Sequence, residues 1–182
     1  MRPVINAIKA ELGDAVYSED DETLQQVCVR ELLRRGETVS TAESCTGGQV
    51  AAAIVDIDGC SASFPGGCVT YSNQEKAQRI GVPEEILNTV GPVSFACAKA
   101  MAEGIRRTIG TDYGVATTGI AGPGGGTEQT PVGTVFVAVA SKEKTFVKEL
   151  RLGGNRDRVR RAATLHALDL LRRVLFGLPT GC

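Results

Sequence analysis

Apolar and polar positions along this chain follow two periods, and the switches between them mark the elements. A helical period covers about Glu22 to Arg35, with Leu24, Val27, Cys28, Leu32 and Leu33 on one side and Gly36 as its stop. Thr38-Val-Ser-Thr-Ala42 then reads as a short strand, and Val50-Ala-Ala-Ala-Ile-Val55 as a closely packing helix. Gly59 to Gly67 is a loop, Cys68-Val-Thr-Tyr71 a strand, and Asn73 an N-cap for a helix over Gln74 to Ile80. Pro83 opens another short helix, and a longer amphipathic one runs from about Ser94 to Ile109. Three further strands are predicted at Gly114–Thr118, Gly133–Ala140 and Thr145–Arg151. Only Ser141 to Lys144 separate the last two, which suits an antiparallel hairpin. A helix over about Arg156 to Phe176 closes the pattern.

Strands that alternate with helices early and pair as a hairpin late predict an α/β fold. The expected form is a three-layer α/β/α sandwich on a mixed, about five-stranded sheet. It is assigned to residues 22–178. Residues 1–21, ending in the acidic Glu19-Asp-Asp-Glu22 cluster, read as an N-terminal extension with a short helix around Val4 to Leu12.

Composition narrows the function classes. A chain of 182 residues can bury a respectable core, and with 4% aromatics and no Trp that core must be aliphatic. Few aromatics and a formal net charge of −1 speak against a nucleic-acid partner, which would want stacking rings and a basic excess. No apolar run approaches the roughly 20 residues of a bilayer span, so no membrane partner is expected. No secretory leader is recognised either, and the expected compartment is the cytoplasm. The six cysteines show no CxxC pair and no ligand spacing, so free thiols and no metal or other cofactor are expected.

The single histidine matters more. His166 falls on the stripe Val159, Ala162, Ala163, His166, Leu170 and reads as a core residue, which disfavours zinc hydrolases and Ser-His-Asp triads.

Four segments at strand ends or helix starts carry candidate chemistry, where ligands gather in open α/β sheets. Glu43-Ser44-Cys45-Thr46-Gly47-Gly48 joins a strand to a helix whose N–H groups suit a phosphate or an oxyanion. Ser44 there is either an N-cap or a nucleophile. Tyr71-Ser-Asn-Gln-Glu-Lys76 offers Lys76, the natural base where histidine is scarce, or a solvated surface lysine. As a base it must lose its proton near neutral pH, a drop of roughly three units from ~10.4. A helix dipole supplies about 0.3–1 kcal/mol, less than one unit, so burial and a hydrogen bond from Tyr71 or Ser72 must supply the rest. Glycine-rich Thr117–Gly126 either cradles a phosphate or ribose or is a flexible turn; it fits neither Walker A nor GxGxxG. Arg156, at the start of the last helix, is able to grip a phosphate bidentately, whereas Arg158 and Arg160 read as a solvated basic face.

Taken together, Ala42-Glu-Ser-Cys-Thr-Gly-Gly48, Val69-Thr-Tyr-Ser-Asn73 with Lys76, Gly91-Pro-Val-Ser94, Thr118-Gly-Ile-Ala-Gly-Pro123 and Pro131-Val-Gly-Thr-Val135 resemble the CinA C-terminal domain family. Stand-alone members of that family are nicotinamide-nucleotide amidases. The resemblance runs from about Glu22 to Phe176 and implies a three-layer fold, a homo-oligomer, and hydrolysis of nicotinamide mononucleotide to nicotinate mononucleotide and ammonia. Carried over by position, it makes Ser44 the nucleophile, with Lys76 and Tyr71 assisting. Cys45, Thr46, Gly47, Thr118, Gly119 and Arg156 fall on the substrate. Many members read Gly-Asp-Arg where this chain has Gly154-Asn155-Arg156. The larger domain of full-length members, which resembles molybdopterin-binding proteins, is expected to be absent.

The expected chemistry is that of a metal-independent amidohydrolase. Lys76, bonded directly or through Tyr71, takes the proton of Ser44, and backbone N–H groups near Cys45 to Gly47 hold the oxyanion. The alternatives are a non-catalytic nucleotide-binding regulatory module of the same fold, and an enzyme with Cys45 as nucleophile.

Overall fold

Five strands, three of them rich in Val, Ala and Thr, pair into one sheet in the computed structural model, which describes residues 2–182. They are β1 (Val39–Glu43), β2 (Gly66–Val69), β3 (Tyr113–Gly119), β4 (Thr134–Ala140) and β5 (Thr145–Arg151), in the order β2-β1-β3-β4-β5. β2, β1 and β3 run parallel, while β4 and β5 are antiparallel additions joined by the expected hairpin. All five residues of β1 and all seven of β4 are buried, as befits strands covered on both faces.

Alternation along the strands divides the core in two. Val39, Val115, Val135, Val137 and Val139 face α2 (Leu24–Arg35), α3 (Gln49–Val55) and α7 (Arg156–Leu175). Ala42, Ala116, Phe136, Ala138 and Ala140 face α4 (Asn73–Ile80), α5 (Glu84–Thr89) and α6 (Phe95–Ile109). The second face is built for close approach. A Cβ on Gly114 would lie 2.2 Å from the Ala102 carbonyl oxygen, and one on Gly104 would lie 2.0 Å from that of Ile80. The first glycine seats α6 on β3; the second seats α4 on α6 and thereby sets the depth of Lys76.

Several boundaries differ from the sequence reading for physical reasons. β2 ends at Val69, because its partner β1 ends at Glu43, so Thr70 and Tyr71 leave the sheet. The cap of α4 is Ser72, whose hydroxyl accepts the Glu75 amide at 3.1 Å; Asn73 is already helical. His166 is not a core residue. It is half-buried, and the apolar stripe of α7 runs through Val159, Ala163, Ala167 and Leu170 instead.

Within the expected 1–21 extension, α1 (Arg2–Leu12) buries none of its side chains, and Arg172 tethers the segment after it through the Asp14 carbonyl at 2.7 Å. Met1 lies outside the described residues. No helix among the described residues is long and apolar enough to cross a membrane.

Candidate active site

Parallel strands put their carboxyl ends at one edge of a sheet, and here that edge holds the predicted chemistry. Ser44 follows β1, Thr70 and Tyr71 follow β2, and Thr118 and Gly119 end β3. Ser44, Tyr71, Thr118 and Gly119, together with Cys45, Asn73, Lys76, Arg156 and the loop through Gly125, line a cavity of about 260 Å³. Residues as far apart in sequence as Ser44 and Arg156 meet at this edge, where three strands end and the helices α4 and α7 begin. Among the described residues, this lining contains no histidine and no carboxylate.

Lys76 Nζ lies 3.2 Å from Ser44 Oγ and donates to the Thr70 carbonyl at 2.9 Å. The side chain is 1% exposed. Burial lowers its pKa from the ordinary lysine value, and the thiols of Cys97 and Cys45 oppose that only in part. The protonated amine donates to both the Ser44 oxygen and the Thr70 carbonyl, whereas a neutral amine keeps the Thr70 bond and is able to accept the Ser44 hydroxyl instead.

Neither Tyr71 nor Ser72 is hydrogen-bonded to the amine, whose partners are Ser44 and Thr70. Ser72 caps α4, and the Tyr71 phenol accepts from Arg156 Nη2 at 3.0 Å. The contact between Ser44 and Lys76 is therefore direct, with no Tyr71 hydroxyl hydrogen-bonded between them.

Ser44 is not an N-cap. α3 begins at Gln49, and the group that satisfies its first turn is Glu43 at the end of β1. Glu43 Oε2 accepts the amides of Gly48 and Val50 at 2.9 and 3.0 Å and the Thr46 hydroxyl at 2.6 Å; Oε1 accepts the Ala51 amide at 2.8 Å. With four donors and 1% exposure, this carboxylate takes up the positive end of α3. Sequence reasoning missed it because a capping box spans three residues, whereas Glu43 reaches five to eight residues ahead.

Two of the predicted substrate contacts fall outside the lining. Thr46 is fully buried, with its hydroxyl engaged by Glu43 and Thr117, and the Gly47 amide turns to the Ser44 carbonyl at 3.1 Å. Cys45 does line the cavity, but burial pushes its thiol up to about 11. Thr118 donates to the Pro92 carbonyl at 2.6 Å, which ties the end of β3 to the loop before α6.

Arg156 also donates to the Gly122 carbonyl at 2.9 Å, so it links the glycine loop to Tyr71 across the cavity mouth. Asn155 caps α7 by accepting the Arg158 amide at 2.9 Å, a role in which Asn and Asp are equivalent. Asn155 therefore serves the helix start as the Asp expected from the family resemblance would, without placing a negative charge beside Arg156. Arg160 corrects the solvated-face expectation. It is half-buried and donates to the carbonyls of Cys45 and Thr46, while Arg158 is exposed as expected.

Comparisons with known proteins point to one family and one fold. The CinA C-terminal domain model matches residues 21–175. A CinA-like protein of Dictyoglomus turgidum is 46% identical over 175 residues, which are 96% of this chain and 43% of that protein. Another, from Kosmotoga olearia, is 46% identical over 97% of this chain and 43% of its own length. The chain thus spans about two-fifths of the length of these curated relatives.

Among solved structures, the competence/damage inducible protein CihA from Agrobacterium tumefaciens superposes with a TM-score of 0.81 at 40% identity, covering 84% of this chain and 93% of that one. A CinA superfamily protein from Klebsiella pneumoniae gives 0.80 at 33% identity, covering 86% and 99%.

Proposed function

The chain belongs to the CinA C-terminal domain family, and from that premise we propose that it is a nicotinamide-nucleotide amidase that uses a Ser44–Lys76 pair. The observation that carries the reading is the 3.2 Å approach of a buried, partner-poor lysine amine to a serine hydroxyl at the wall of a cavity. A buried lysine whose partners are a hydroxyl and a backbone carbonyl rather than a carboxylate is held toward its neutral, basic form.

Nicotinamide mononucleotide enters with its carboxamide at Ser44. The hydroxyl oxygen bonds to the carboxamide carbon as its proton passes to Lys76 Nζ, and the carbonyl electron pair moves onto oxygen. Collapse of that oxyanion breaks the C–N bond, and the lysine ammonium returns the proton so that ammonia leaves. Water, deprotonated by the same amine, then cleaves the acyl ester, frees nicotinate mononucleotide and restores Ser44.

The phosphate is assigned to Arg156, the one arginine in a lining that contains no carboxylate. Cys45 is disfavoured as nucleophile, because a thiol raised to about 11 carries almost no thiolate at neutral pH. The test is ammonia release from nicotinamide mononucleotide by wild type, Ser44→Ala and Cys45→Ser. Activity in wild type and Cys45→Ser but not in Ser44→Ala supports the reading. Tight nucleotide binding without ammonia from wild type overturns it in favour of a regulatory module.

A further inference from the structure

The reaction assigned to this cavity creates a negative charge beside an amine that has no carboxylate among its partners. Lys76 lines the cavity with Nζ 3.2 Å from Ser44 Oγ, and its partners are that hydroxyl and the Thr70 carbonyl. The carboxylates nearest in sequence are engaged elsewhere. Glu43 accepts from Thr46 and the first turn of α3, and Glu75 pairs with Arg79. The thiols that act on the amine are those of Cys45 and of Cys97 on α6; burial pushes both up to about 11, so they are uncharged near neutral pH. Arg156, bonded to the Tyr71 phenol and the Gly122 carbonyl, is the fixed cation of the lining.

Hydrolysis of a carboxamide ends on a carboxylic acid. When Ser44 Oγ leaves the acyl carbon it takes a proton back from the Lys76 ammonium, so the amine is neutral and the new carboxyl group still carries its proton. A carboxyl group of ordinary pKa, ~4, gives that proton to any amine basic enough to have taken one from a serine. Turnover therefore finishes with an ammonium and a carboxylate side by side. The enzyme is reset only when the carboxylate departs and the proton passes to solvent.

We propose that the acid product is the counter-ion that Lys76 lacks: the carboxylate of the product nucleotide pairs with this amine and holds the amidase inactive. The inference rests on the Ser44–Lys76 reading and adds a second ligand class to the site, carboxylate nucleotides. An opposite charge this close favours the charged form by about 1–3 pKa units, so the acid binds the ammonium form about 10- to 10³-fold more tightly than the neutral one. One proton is taken up with it. Product affinity is then greatest below the pKa of the free amine and falls about tenfold per pH unit above it, until the amine of the complex also titrates. A carboxamide, uncharged in both states, shows little of this.

The experiment compares binding of nicotinamide mononucleotide and nicotinate mononucleotide, whose ribose phosphates are identical, so that Arg156 and the titration of the phosphate cancel in their ratio. Ser44→Ala keeps Lys76 without turning the amide over, and calorimetry in two buffers of different ionisation enthalpy counts the protons. Over the pH range in which wild-type kcat/KM rises, the acid-to-amide affinity ratio should fall at least about tenfold. Proton uptake should approach one per acid bound and stay near zero for the amide. In Lys76→Met the ratio should be low and flat with pH; in Lys76→Arg, whose cation is permanent, it should be high and flat.

A ratio in Ser44→Ala that ignores pH overturns the proposal, as does undiminished proton uptake in Lys76→Met. Ammonia release by wild type together with such a flat ratio leaves the amidase reading intact and removes only the ion pair. Proton-linked binding of the acid by a wild type that releases no ammonia does the reverse: it supports the ion pair and removes the amidase reading.

Discussion

Arg156 and Tyr71, 85 positions apart, meet with Nη2 3.0 Å from the phenol oxygen, and the guanidinium can only donate. The Tyr71 oxygen is therefore an acceptor in this pair, and its own hydrogen remains free for a ligand in the cavity. Arg156→Ala is expected to raise KM for nicotinamide mononucleotide about 10- to 100-fold, the worth of a charge-assisted contact of about 1.5–3 kcal/mol. It should change kcat little and leave the dephosphorylated nucleoside unaffected. Steady-state kinetics on both substrates check this; an equal loss on both means that Arg156 does not hold the phosphate.

Tyr71→Phe separates the two uses of the phenol. The ring stays and Arg156 keeps Gly122, so binding should survive within a few-fold. Because the Ser44–Lys76 contact is direct, kcat should fall by no more than about tenfold, well short of the 10²–10⁴-fold typical of a lost general base. A loss as deep as that of a Lys76 variant would put Tyr71 in the proton path.

Much of this architecture is legible in the order of residues alone. Alternating and helical periodicities mark the strands and helices, and the scarcity of histidine points from Ser44 to Lys76. What the sequence hides are contacts that break local rules. Glu43 caps a helix from the end of a strand, and Arg160 sits among exposed arginines yet turns its head inward. Local spacing also overstates Thr46 and Gly47, which build the turn without facing the cavity. The direction of a side chain across layers is a tertiary property that periodicity does not encode.

Glu43→Gln tests the first of those hidden contacts. The amide keeps one acceptor and sets an NH₂ against a backbone donor among Gly48, Val50 and Ala51. One buried donor left unsatisfied costs about 1–3 kcal/mol, or roughly 2–4 °C in Tm per kcal/mol for a domain of this size. Thermal denaturation measures it, and an unchanged Tm would mean that the Glu43 cluster does not hold α3.

Lys76 links catalysis, pH and stability with opposite signs. Only the neutral amine accepts the Ser44 proton, so kcat/KM should rise with pH through the Lys76 pKa, which burial sets below the ordinary ~10.4. Lys76→Arg, which does not deprotonate, should be inactive across that range. Stability follows from proton counting. With the folded pKa below the unfolded one, the unfolded chain binds more protons between the two values. Wild-type stability should therefore climb as pH rises from the folded pKa toward ~10.4, and its deficit should be complete at lower pH. Lys76→Met removes the titration while filling the same buried space, so it should abolish ammonia release and raise Tm near neutral pH. Its advantage over wild type should shrink as pH approaches ~10. Melting curves of both proteins across pH decide the matter. A Met variant less stable than wild type at neutral pH would mean that the buried amine strengthens the fold, and that Lys76 is not held neutral for the reaction.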